Sequence, residues 1–515
     1  MDGPPYRRGR LADPRRRRRV RGAVRRRCLH PSRQPHGRAR PRPARGQHLT
    51  RCAVRVPARR RQRRARAPAR RRGACRAARR AARLVGRARA AGPGRPQARG
   101  ARRLARHRGR DARGLPPGAG VKILVLTPTF LPVVGGAELV LLEVYRRLAR
   151  RHDVRLLTPV LPESLRRDHG SSEYDALVTF PVERYEDRVT LMRVRGHRVT
   201  AGALPPFSLS AVAAVRRAIA SARPDVLNVH YAMPTGLAAV VADRRLGVPT
   251  VLTMNGRDVP GPGVPALWRW WQRALIALVT DATYVSGYCR DAIYGPGRGR
   301  GEVVANGVEI PPPPGNGCAV RAALDVPPGN VLVFALQRLA PEKRVDALLH
   351  ALRRGLDAGA AVTLVIGGTG PEAQALRALA AELGIDKHVR FAGYVPRAAL
   401  GAYFEACDLF AFHSTYETFG LVVAQAMSYG RAVVSVRSTA LPEVVGDAGV
   451  LVPPGDPIAL GDAIAALAHD PARRRALGEA GRRRAAALYA WDRVAEGYER
   501  VLARAAARGK ARRAG

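Results

Sequence analysis

Leu409-Phe410-Ala411-Phe412 runs into His413-Ser414-Thr415-Tyr416-Glu417-Thr418-Phe419-Gly420 and on through Leu421-Val422-Val423-Ala424-Gln425-Ala426-Met427-Ser428-Tyr429-Gly430. The apolar quartet has the pattern of a strand buried on both faces of a parallel sheet. The polar turn after it ends at Glu417. A helix is expected from Thr418 or Gly420 to Gly430, where glycine stops it. Free backbone N–H groups gather at such a helix start and favour an anion. Glu417 sits beside them, and Gln425 lies roughly two turns along the same side of the helix. An anion cradle flanked by one acid and one amide suits a phosphorylated, hydroxyl-rich ligand.

The same strand–turn–helix order recurs on both sides of this stretch. Before it come the strands Val331–Leu336, Thr363–Ile366 and Val389–Phe391, and after it Ala432–Ser435. The loop Gln337–Arg344 leads into a helix with Pro341 near its first turn. Gly367-Gly368-Thr369-Gly370 is a second glycine-rich turn. Upstream, Pro311-Pro312-Pro313-Pro314-Gly315 can continue neither helix nor strand and reads as a stiff linker.

Ahead of that linker a separate series begins with the buried strand Val121–Leu126, the turn Gly135-Gly136 and a helix through Leu148. It continues with a strand at Val154–Leu157, an irregular polar stretch over 161–205 and a helix over 209–222. Next come strands 224–230, ending at His230, and 250–254, ending in Asn255-Gly256-Arg257-Asp258. Strands at 282–286 and 302–304 close the series. Open α/β sheets bind ligands at the carboxyl ends of their strands, which is where His230 and Asn255 stand. Two βα series across a proline linker predict an α/β protein of two Rossmann-like, doubly wound domains facing a cleft. A last long helix is expected over 471–507.

The net charge of +52 belongs mostly to one end. Residues 1–120 hold 42 Arg, no Lys and three acids, Asp2, Asp13 and Asp111. The rest of the chain has a surplus of 13 positive charges. The first segment has no Ile, Phe or Trp and cannot bury a core, so it is expected to be disordered. It lacks the apolar region of a secretory signal, and with Ser32 as its one serine it is a poor transit peptide. Arg clusters neutralise phosphates, which leaves open a nucleic-acid-binding tail. The competing expectation is a mis-assigned gene start, because GC-rich DNA read in an unused frame yields Arg, Ala, Pro and Gly. Val121, or else Leu115, is then the candidate first residue.

Trp268-Arg269-Trp270-Trp271-Gln272-Arg273 opens a helix with two readings. It is an interfacial membrane anchor, or its aromatic face packs inside the domain. The cysteines form no CxxC pair and are expected as free thiols in a reducing compartment. No apolar run reaches the length of a transmembrane helix.

Five motifs in order carry a resemblance: Gly135-Gly136-Ala137-Glu138, Arg338-Leu339 with Glu342-Lys343-Arg344, Gly367-Gly368-Thr369-Gly370-Pro371, Ser414 to Gly420, and Leu441 to Val445. Over about 121–500 the chain resembles the retaining glycosyltransferases of family 4 (glycosyl transferases group 1). The resemblance implies a GT-B fold and a nucleoside-diphosphate sugar bound mainly by the second domain. It implies no metal, no cofactor and a hydroxyl acceptor that the sequence does not identify. It also implies a terminal helix crossing back to the first domain. The expected division is therefore 1–120 as extension, 121–308 as first domain on the acceptor side, 309–485 as donor domain, and 486–515 as crossing helix and basic tail.

In that family Arg338 and Lys343 match the pair on the donor diphosphate, and Gly135 and Gly136 the loop approaching the same phosphates. Glu417 matches the acid on the transferred sugar, and the backbone of Phe419, Gly420 and Leu421 lies at the phosphates. His230 matches a histidine near the reacting centre, while Glu443 is placed on the base and ribose side. Gly368 and Asn255 complete the expected substrate contacts. Glu417, His230, Arg338 and Lys343 are the candidate catalytic set. Four departures stand out. Gln425 replaces the second acid, whose role is a bond to ribose. Asn255 replaces a histidine, Gln337 a glycine, and Ser438-Thr439-Ala440 a glycine pair. They keep open a non-catalytic or weakened nucleotide-sugar-binding relative. The expected location is cytoplasmic, with peripheral contact to an anionic membrane surface and no specific nucleic acid partner.

Overall fold

The computed structural model describes residues 120–160, 172–187, 207–256, 258–261, 266–311 and 317–514. The Arg-rich extension, most of the stretch 161–205 and the middle of the proline linker lie outside the described residues.

Two parallel sheets form. The first contains β1 (Lys122–Leu126), β2 (Asp153–Pro159), β3 (Val182–Tyr185), β4 (Val226–His230), β5 (Thr250–Met254), β6 (Asp281–Tyr284) and β7 (Glu302–Val303). Its spatial order is β3-β2-β1-β4-β5-β6-β7. The second contains β8 (Val331–Leu336), β9 (Val362–Gly367), β10 (Val389–Gly393), β11 (Leu409–Phe412), β12 (Ala432–Val436) and β13 (Gly449–Val452), in the order β10-β9-β8-β11-β12-β13. Both orders reverse direction beside the first strand of the series, which is the doubly wound arrangement. The central strands β1, β4, β5, β8, β9, β11 and β12 are buried almost throughout, as their unbroken apolar runs require.

The helices that position the site are α1 (Gly136–Leu148), α2 (Leu209–Ala222), α3 (Gly236–Arg244), α4 (Ala266–Ala277), α5 (Gly287–Tyr294), α6 (Val345–Asp357), α7 (Arg397–Ala406), α8 (Leu421–Ser428), α9 (Pro471–Leu488) and α10 (Trp491–Ala514). The single helix expected over 471–507 is two helices. Between them Val308, at the start of the linker, pairs with Ala490 and donates to the Tyr489 carbonyl at 2.7 Å. The Trp491 ring lies against Gly307 at the same place. The linker thus takes over backbone groups at the helix break. After it, α9 stays on β12 of the second sheet, while α10 crosses to α1, β4 and β5 of the first. Arg504 of α10 meets Asp281 at 3.0 Å and Glu302 at 3.2 Å.

The tryptophans of α4 are not on its most deeply buried side, and Trp268 and Trp271 are half-buried. Gln272, Leu275 and Ile276 turn inward, whereas Trp270 is 57% exposed.

Candidate active site

The turn from β11 to α8 is the centre of the site. The helix begins at Leu421 rather than Thr418, because Gly420 takes the left-handed conformation, φ 91°. Only glycine occupies it without strain, and a Cβ here would also lie 2.7 Å from Leu441. The N–H groups of Val423 and Ala424 turn back to the Gly420 carbonyl. Those of Phe419, Gly420, Leu421 and Val422 have no partner among the described residues. Four donors at the positive end of a helix form a cradle for negative charge. The Phe419 side chain faces away, edge-on to Tyr489 at 5.3 Å.

Glu417 is held from two directions. Its backbone N–H donates to Thr439 Oγ1 at 2.9 Å, and its carbonyl accepts from Ala440 N–H at 3.2 Å. Its carboxylate forms an ion pair with Lys343 Nζ. Lys343 ends a single 3₁₀ turn, Pro341–Lys343, after β8. Thr439 has φ 49°, a left-handed conformation unusual for a β-branched residue. It stands where the family resemblance expects glycine, and the strain is retained where it anchors the acid. Arg338 projects from the loop after β8, exposed and with no side-chain partner among the described residues. Gly368 lies beneath that loop with φ 125°, and a Cβ there would fall 1.9 Å from the Gln337 carbonyl. Backbone packing under Arg338 therefore requires glycine at this position.

Loops of the first sheet close over this turn. A Cβ on Gly136 would sit 3.7 Å from Leu421, and one on Gly256 3.6 Å from Thr418 Oγ1. Thr418 Oγ1 donates to the Asn255 carbonyl at 3.2 Å, and Tyr416 Oη to that of Val259 at 2.8 Å. Ser286 Oγ donates to the Thr418 carbonyl at 2.7 Å.

His230 is buried below the cleft loop and bonded within the chain. It is 1% exposed, and both ring nitrogens are engaged. Asn255 Nδ2 donates to Nδ1 at 2.7 Å, so the ring proton is on Nε2, which donates to Tyr145 Oη at 2.6 Å. Tyr145 then donates to Asn228 Oδ1 at 2.6 Å, and Asn228 Nδ2 continues to Thr253 Oγ1 at 2.9 Å. Burial pushes the imidazole down to about 3, so the ring is neutral near pH 7. His230 and Asn255 belong to one hydrogen-bonded chain under the cleft. They fix the loop whose carbonyl receives Thr418.

Two further expected site residues are bonded within the chain. Gln425 Nε2 donates to the Glu309 carbonyl of the linker at 3.3 Å and to Ser428 Oγ at 3.1 Å, tying the helix to the linker. The Glu443 carboxylate accepts from the N–H groups of Gly287 and Tyr288, capping α5 from across the cleft. Sequence reasoning missed the supporting set of Thr439, Thr418, Ser286 and Tyr145. Ser286 and Tyr145 carry no motif of their own; Thr418 lies inside the Ser414–Gly420 motif, and Thr439 stands in a glycine position.

The model of the family described as Glycosyl transferases group 1 matches residues 319–484, and that of Glycosyltransferase Family 4 matches 134–310. A D-inositol 3-phosphate glycosyltransferase of Segniliparus rotundus is 31% identical over 314 residues, covering 56% of this chain and 68% of that protein. The chain belongs to the family 4 glycosyltransferases. This glycosyltransferase is also 29% identical over 381 residues to a GDP-mannose-dependent alpha-mannosyltransferase of Mycobacterium tuberculosis, covering 70% of this chain and 93% of the relative. Its fold matches that of Anabaena HepE in complex with UDP, with a TM-score of 0.60 at 22% identity, over 74% of this chain and 99% of HepE. The two sheets and the crossing helix are those of the GT-B fold.

Proposed function

We propose that this glycosyltransferase is a retaining enzyme that needs no divalent metal and moves a sugar from a nucleoside-diphosphate sugar to a hydroxyl acceptor. The observation that carries the proposal is the Glu417–Lys343 ion pair set beside the unpartnered N–H groups of residues 419–422. Those donors, with Lys343 and Arg338, supply the positive charge that a metal would otherwise bring to a departing diphosphate. Glu417 takes hydroxyls of the transferred sugar. The bond from the anomeric carbon to the diphosphate oxygen breaks, and the acceptor oxygen bonds to that carbon on the same face. The acceptor proton passes to the departing diphosphate oxygen. The protein positions the reactants and excludes water as the cleft closes.

A UDP complex of a protein with the same fold and a GDP-mannose-dependent relative support the donor class and leave its base to experiment. The buried thiols of Cys289 and Cys407 and the exposed Cys318 suit a reducing, cytoplasmic setting. Among the described residues no helix is long and apolar enough to cross a membrane.

A thermal-shift panel of uridine, guanosine and adenosine diphosphate sugars identifies the donor, because a ligand stabilises the state it binds. With that donor, Glu417→Ala, Lys343→Ala and Arg338→Ala should each abolish transfer. Near-normal turnover in these variants overturns the assignment. Inversion at the anomeric carbon, read by NMR, overturns the retaining course, and loss of activity to a chelator overturns metal independence. Binding without transfer or donor hydrolysis favours a non-catalytic relative.

A further inference from the structure

Three helices, α2, α3 and α4, lead into β4, β5 and β6 in turn, and those strands follow one another in space. Right-handed crossovers in one direction put all three helices on the same face of the sheet. Each helix starts at the carboxyl edge, the edge that carries the Asn255–Gly261 loop. Gln272 of α4 holds that loop, its amide donating to the Asp258 carbonyl.

The outer side of this rim is apolar. Leu209, the first residue of α2, is 72% exposed, and Leu267 and Trp270 on the first turns of α4 are 50% and 57% exposed. Phe207 and Trp271 join the two helix starts, with ring centroids 6.4 Å apart. Cations border the patch. Arg269 is exposed with no partner among the described residues, and Arg273, one turn further along α4, lies over the Tyr294 ring at 5.7 Å. Neither α2 nor α4 contains an acid.

We infer that this rim docks on an anionic lipid bilayer, with Leu209, Leu267 and Trp270 entering the headgroup–acyl boundary and the arginines meeting lipid phosphates. Tryptophan and leucine on one side of a helix with arginine flanking them suit that boundary. A second copy of the chain would set arginines against arginines with no acid to meet them. Docking here brings the cleft edge to the membrane surface. The inference does not depend on the transfer reaction.

The test uses the full chain. It must separate this rim from the Arg-rich segment 1–120, which also attracts anionic lipid. That segment contains no Trp. Tryptophan quenching by brominated phosphatidylcholine, mixed equally with phosphatidylglycerol, therefore reports the remainder of the chain. Wild type should be quenched in these vesicles and far less in pure brominated phosphatidylcholine. Leu267→Ser and Arg269→Glu keep every Trp and should each lose most of the quenching without a change in Tm. Vesicle pelleting without quenching, or unchanged quenching in both variants, overturns the inference. A concentration-dependent dimer that Leu267→Ser abolishes does so too, in favour of a second copy.

Discussion

Glu443 and Gly287 face each other across the cleft, the carboxylate of one accepting the backbone N–H of the other at 2.9 Å. The other carboxylate oxygen takes Tyr288 N–H at 3.1 Å. A side chain of the second sheet's domain thus caps a helix of the first. Glu443→Ala should lower stability by about 1 kcal/mol, the usual worth of a cap. It should also reduce kcat/KM by loosening closure. Urea unfolding and steady-state kinetics check the two effects, and a variant matching wild type in both would remove the strut.

Gln425→Glu separates the linker role from a ribose role. A carboxylate would face the Glu309 carbonyl where the amide now donates. The loss should be about 1 kcal/mol, the usual net worth of one hydrogen bond, and it appears as a lower urea midpoint. If stability holds and donor affinity rises instead, the residue serves the ribose.

Thr439 carries strain and an anchor together. Thr439→Gly relieves φ 49° but loses the bond to Glu417 N–H. Strain and bond are each worth about 1 kcal/mol, so stability should stay near wild type while transfer slows. Thr439→Ala loses the bond and keeps the strain, and should be the less stable of the two. Thermal melts of the pair decide it. Equal melting points would show that the strain is small.

His230 makes stability depend on pH with a definite sign. Its folded value, about 3, lies below the ordinary 6.5. The unfolded chain therefore binds the proton first as pH falls. The contribution is complete above pH 6.5 and declines toward pH 3, by at most about 1.4 kcal/mol per unit. His230→Gln should flatten the acid side of the urea midpoint profile relative to wild type. Parallel profiles would mean that another group sets the slope.

Much of this was legible along the chain. The runs Val121–Leu126, Val331–Leu336 and Leu409–Phe412 announced buried parallel strands, because a strand covered on both faces must be apolar at successive positions. Helix α2 appeared at its expected bounds. Gly420, Glu417 and Lys343 were legible too, since a strand–turn–helix fixes locally where N–H groups collect. The Trp helix was legible as a helix, but not as to which side it buries. Its tryptophans are apolar enough for either environment.

What only the tertiary structure decided is partnership. Gln425, Glu443, Asn255 and His230 all sit where a ligand could be met, and each proved to be bonded to another part of the chain. Those partners, Glu309, Gly287 and Tyr145, lie far away in sequence, so no local pattern records them. The sequence by itself determined the strands, the turns and the residue types offered at the cleft. Folding then brought distant polar groups within reach of one another: the buried His230 has to find partners, while Gln425 and Glu443 bridge exposed seams between segments.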